Sequence, residues 1–145
     1  METWIPVVVA LIAAVASIFA ASRSRNQATK AQKSAEMLDS RAHKIARIDR
    51  EVEELREAYK AYALSMGEMR SPKDGGRVMA ALEVLAACQA TSVELIRATR
   101  NQGNEIAYSV ASGQAGKLSM DEVRLAYMEI QFSLAQKRLK EATDR

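Results

Sequence analysis

Residues 45 to 69 read IARIDREVEELREAYKAYALSMGEM, and this stretch decides the fold class. The apolar positions Ile45, Ile48, Val52, Leu55, Tyr59, Tyr62, Met66 and Met69 alternate spacings of three and four, a heptad pattern that an α-helix gathers onto one face. With Ile45 at position a, Val52, Tyr59 and Met66 are further a residues, and Ile48, Leu55, Tyr62 and Met69 are the d residues. Two partners fit such a stripe. A parallel, in-register second copy would set Lys44 at g against Asp49 at the following e, and Glu51 against Arg56. On that reading Ile45, Ile48, Val52, Leu55, Tyr59 and Tyr62 form an association seam. The chain's own later helices would need the same face.

Working toward the N-terminus, the sequence from Ser22 to Met69 has no Pro, has Gly only at Gly67, and is dominated by helix formers. Residues 4 to 21, WIPVVVALIAAVASIFAA, carry no charge over eighteen positions. As a helix they reach about 27 Å, close to the hydrocarbon thickness of a bilayer. Trp4 suits the interfacial position, and Pro6 falls in the first turn, where a missing N–H is cheap. The small residues Ala14-Val15-Ala16 and Phe19-Ala20-Ala21 also allow a cleaved secretory signal. Flanking charge argues against that: only Glu2 precedes the run, while Arg23, Arg25, Lys30 and Lys33 follow it before the first acidic residue, Glu36. Cationic flanks stay on the cytoplasmic side, so the N-terminus is expected outside and the C-terminal bulk inside an inner or plasma membrane. Residues 1–22 are therefore read as a transmembrane signal-anchor, 23–44 as a basic juxtamembrane helix and 45–145 as a cytoplasmic helical domain. The single Cys88 fits a reducing compartment.

The sequence pI of 9.1 has a local origin. Residues 23 to 50 hold eight Lys or Arg against three Asp or Glu, whereas residues 51 to 145 hold thirteen against fourteen. Arg23, Arg25, Lys30 and Lys33 are accordingly expected to face lipid headgroups, each contributing on the order of 1 kcal/mol at an anionic surface. The distal part has no basic stripe, and 5% aromatic residues leave little for base stacking, so nucleic acid is not expected as a partner.

Toward the C-terminus, Ser71-Pro72-Lys73-Asp74-Gly75-Gly76 reverses the chain, with Ser71 or Asp74 placed to cap the next helix. Val78, Leu82, Leu85, Gln89, Val93 and Ile96 follow helical spacing, and Asn101 to Asn104 could break it, so residues 77–112 form one helix or two. Gly113 and Gly116 close this region. Ser119-Met120-Asp121-Glu122 matches a capping box, and the helix it opens runs to about Ala142. That helix carries two apolar stripes: Val123, Tyr127, Ile130 and Leu134, and beside them Leu125, Met128, Phe132 and Leu139. It should touch more than one neighbour. No segment alternates like a strand. The expected fold is all-α: a single N-terminal transmembrane helix continuing into a long helix and an antiparallel cytoplasmic three-helix bundle or coiled coil.

Chemistry-bearing motifs are scarce. His43 is the only histidine and lies among charged residues far along the chain from Cys88. Neither HExxH nor CxxC occurs. Glu51, Glu53, Glu54 and Glu57 interleave with Arg50, Arg56 and Lys60 at surface ion-pair spacings. Gly113 to Ser119 lacks the first Gly and the Ser or Thr of a phosphate loop, with Ala111 and Leu118 in those places. Met66, Met69 and Met79 gather near the first reversal, where flexible methionines can serve an adaptable binding groove but core packing at the tip of a helix hairpin is the leading reading. No catalytic, metal or cofactor-binding residue and no small-molecule substrate is expected. The sequence points to a non-enzymatic, single-pass membrane protein whose helical domain self-associates or recruits a protein partner as scaffold or adaptor. The alternative is a small membrane-active or membrane-remodelling factor, phage- or toxin-like.

Overall fold

The computed structural model describes residues 4–113 and 119–143, with the side chains of residues 4–8 and of Pro72 excepted. Its elements are α1 (Trp4–Glu68), a 3-10 turn (Pro72–Asp74), α2 (Gly75–Ala86), α3 (Val93–Ser112) and α4 (Asp121–Thr143), with no strand among the described residues. The all-α expectation holds. The chain divides into two compact units, Met1–His43 and Lys44–Arg145.

In the second unit the d row of the heptad goes into the core. Ile48, Leu55 and Tyr62 are buried together with Ala58. They pack with Val78, Leu82 and Leu85 of α2, Leu95, Ala98 and Ile106 of α3, and Val123, Ala126, Ile130 and Leu134 of α4. Removing such a side chain from water contributes roughly 1.5–3 kcal/mol per fully covered aliphatic residue. The a residues Val52, Tyr59 and Met66 are partly buried against the same cluster. α4 runs antiparallel to this part of α1, since Lys44 meets Glu141 at 3.5 Å, Asp49 meets Arg138 at 2.6 Å, and the ring of Tyr59 lies on that of Tyr127.

At the first reversal the Asp74 carboxylate accepts from the backbone N–H groups of Arg70 (3.1 Å) and Ser71 (3.0 Å). This corrects the expected cap: Asp74 occupies the N-cap place of α2 without a side-chain capping bond, because its oxygen is turned back onto the turn that follows α1. Ser71 Oγ likewise serves the turn itself, accepting from the Lys73 N–H at 3.2 Å. Gly75 starts α2 hard against α3. A Cβ there would stand 2.7 Å from Val110 Cγ2 and 2.9 Å from Ile106 Cγ2, so only glycine fits.

Residues 77–112 form two helices, and the expected three-helix bundle becomes a four-helix arrangement. The break lies at residues 87–92, not at Asn101 to Asn104. Ser92 is extended (φ −118°, ψ 164°) and its side chain accepts from the Leu95 N–H at 3.1 Å, a cap that starts α3 there. Gly103 instead sits within α3, buried, and a Cβ there would stand 3.5 Å from the Sδ and Cε of Met79, an ordinary van der Waals contact. α3 ends at Gly113, whose φ of 65° is the left-handed conformation that favours glycine. The expected capping box is also modified. Ser119 Oγ accepts from the Asp121 N–H, and the Glu122 carboxylate accepts from Asn101 Nδ2 of α3 at 3.4 Å. Residues 114–118, which hold most of the phosphate-loop lookalike, lie outside the described residues.

In the first unit every described side chain from Val9 to Ser40 is exposed. Large apolar side chains are included, among them Ile18 at 68% and Phe19 at 74% exposure. The described part of the uncharged run, Val9 to Ala21, is thirteen residues, about 20 Å of helix. Among the described residues no helix is long and apolar enough to cross a membrane, and the expected transmembrane helix is unsupported. The remainder of the run expected to span, from Trp4 to Val8, has side chains outside those described.

Candidate interaction surface

The residues expected to pair between chains are engaged within one chain. Ile48, Leu55 and Tyr62 are core, Val52 and Tyr59 pack against it, and Ile45 is half-buried. The charges flanking them have in-chain partners as well. Lys44 pairs with Glu141, and Arg138 holds Asp49 through two contacts of 2.6 and 3.5 Å. Glu51 meets Arg47, and Arg56 meets Glu53. The heptad stripe of α1 is thus covered by the chain's own helices.

The second stripe of α4 is not covered. Val123, Ala126, Ile130 and Leu134 face the core, whereas Leu125, Met128, Phe132 and Leu139 are exposed by 62, 53, 66 and 64%. Exposed Ala135 completes the spacing three, four, three, four. The result is one continuous apolar row of about 21 Å along the helix, unlike the singly scattered apolar residues normal on a surface. Exposed Arg124 and Glu129 flank the row, and neither has an ion-pair partner among the described residues. A shallow groove between α3 and α4, bordered by Arg97, Asn101, Glu122 and Glu129, reaches the row at Leu125.

Cys88 is buried, its thiol is pushed up first by burial and then by Glu54, and it points to the Val84 carbonyl. A thiol held protonated is a poor nucleophile. His43 is exposed and its Nδ1 lies 2.8 Å from the Asp39 carbonyl on its own helix. Among the described residues no His, Cys, Asp and Glu side chains group as metal ligands. Among the described residues, Tyr62 Oη and Gln102 Nε2 are buried without a hydrogen-bond partner, a feature no sequence pattern announces. Arg23, Arg25, Lys30 and Lys33 are all exposed on α1, with no ion pair among the described residues. The outer row of α4 was visible in the sequence as a second stripe. Its lack of a neighbour was not, because that depends on how α1 to α3 occupy the inner face.

No family model, no curated protein and no solved structure matches this chain.

Proposed function

We propose that this protein is a non-enzymatic adaptor or scaffold held at a membrane by its N-terminal segment, with its helical domain offering the outer row of α4 to another protein surface. The open row Leu125, Met128, Phe132 and Leu139 is the observation that carries the reading. Four large apolar side chains at helical spacing cost hydration in the isolated chain, and that cost is recovered when a second apolar surface covers them. The anchor rests on the uncharged run of residues 4 to 21 and on the exposed apolar side chains from Val9 to Phe19. Arg23, Arg25, Lys30 and Lys33 would lie next to anionic headgroups, with the N-terminus outside and Lys44–Arg145 on the cytoplasmic side.

Site-specific photocrosslinking in native membranes tests the interaction surface. A photoreactive residue replacing Phe132 should give a discrete protein adduct that disappears when Leu125 and Leu139 are changed to Glu. The same residue replacing exposed Lys60 on α1 should give none. No adduct from position 132, or an adduct indifferent to those two changes, would remove the proposed role.

A further inference from the structure

We infer that the occupant of the open α4 row is a second copy of this chain, paired in parallel through Leu125, Met128, Phe132, Ala135 and Leu139; the inference rests on the interaction role proposed above and names its partner. Taking Leu125 as position a makes Phe132 and Leu139 further a residues, and Met128, Ala135 and Ala142 the d residues. Large and small residues alternate in the lower half of this row, with Phe132 and Leu139 on either side of Ala135, which leaves room for the Phe132 ring. Arg124 then stands at g and Glu129 at the following e, so each Arg124 faces the other copy's Glu129, giving two opposite-charge contacts across the two-fold. Both side chains are exposed, and neither has an ion-pair partner of its own among the described residues. In an antiparallel pairing this complementarity is lost, because e then flanks e and g flanks g.

The same charge logic fails on α1. There the flanking g and e residues Lys44, Asp49, Glu51 and Arg56 are each bound within the chain. Direction agrees with the anchor. The C-terminal end of α4 lies beside Lys44, since Glu141 is 3.5 Å from it. Parallel α4 pairing therefore brings the two Lys44 ends, where each chain's N-terminal segment joins, to the same end of the dimer. Two chains inserted in one bilayer with one orientation need that arrangement. Confinement in the bilayer raises effective concentration, so a short row suffices where free chains would stay apart.

The test uses the full chain carrying Cys88→Ala and Ala135→Cys, reconstituted in liposomes and oxidised with copper phenanthroline. A position 135 cysteine meets its own counterpart only in the parallel pairing, and a disulfide-linked dimer is expected. Arg124→Glu should lower its yield about fivefold by setting a second carboxylate against that of Glu129, and adding Glu129→Arg should restore it. These positions are exposed, so circular dichroism melting curves of the dilute, detergent-solubilised monomer should be the same for all variants. No dimer from position 135, a dimer yield that ignores Arg124→Glu, or failure of Glu129→Arg to restore it would overturn the inference. So would crosslinking only between mixed Phe132→Cys and Ala135→Cys chains, which marks the antiparallel pairing. Should position 132 capture a different protein while position 135 gives no dimer, the second copy is excluded and the adaptor role stands.

Discussion

The rings of Tyr59 and Tyr127 lie face to face, with centroids 4.0 Å apart and planes within 8° of parallel. The pair fixes α4 against α1 at the border between the two stripes of α4, because Tyr127 is half-buried between buried Ala126 and exposed Met128. It also sorts the helix energetically. Tyr127→Ala should cost about 2 kcal/mol, less than a fully buried aromatic because part of the ring is already wet. Leu125→Ala, two residues earlier, should stay within about 0.5 kcal/mol in the dilute monomer. Urea midpoints of the two variants decide this, and equal losses would contradict the placement of the two stripes.

Adjacent glycines at the start of α2 should respond oppositely to the same change. At Gly75 a new Cβ meets Val110 and Ile106 within 3 Å, and both are β-branched side chains with little freedom to move aside. Gly75→Ala should therefore destabilise by about 1–3 kcal/mol. At Gly76 nothing lies within 4 Å, so Gly76→Ala should stabilise by up to about 0.5–1 kcal/mol through helix propensity. Thermal melts suffice, and a reversed order would show that α2 does not start against α3 as described.

The orientation proposed for the anchor has a direct readout in intact cells carrying Cys88→Ala. A cysteine replacing Thr3 should react with a membrane-impermeant maleimide, and one replacing exposed Thr143 should react only after permeabilisation. The opposite pattern would invert the topology, and reaction at both positions without permeabilisation would place the helical domain outside.

Helix content, the first reversal and the buried d row were legible because each is local: composition, a Pro with paired Gly, and a period that leaves one face apolar. The break at residues 87–92 was not, since it holds neither Gly nor Pro. The chain bends there with Leu85, Cys88 and Leu95 all reaching the core from the two sides of the bend, and Ser92 caps α3. The coverage of α1 was undecidable for a different reason. A stripe that packs in its own bundle and one that pairs between chains have the same period, and the deciding partner of Asp49 is Arg138, 89 residues away. Spacing around Lys44 and Asp49 reads naturally as an interchain pattern until those distant partners are placed.

Tyr62 links the core to pH. Its side chain is fully buried and its hydroxyl has no hydrogen-bond partner among the described residues. Burial, then Tyr59, then Glu105 push its ionisation from the ordinary value of 10.0 up to about 12. In the unfolded chain the phenol ionises near 10. The folded state therefore holds the proton more tightly than the unfolded one: the full stabilising difference is present below pH 10 and is lost as pH rises from 10 toward 12. Tyr62→Phe removes both the titration and the orphaned hydroxyl. It should be at least as stable as the parent at pH 8, gaining up to about 1 kcal/mol from the relieved desolvation. Its advantage should then widen by roughly 1 kcal/mol per pH unit above 10. Urea unfolding at pH 8, 10 and 11.5 gives both quantities. Parallel stability curves for parent and variant across that range would mean that the Tyr62 hydroxyl is not buried in the folded protein.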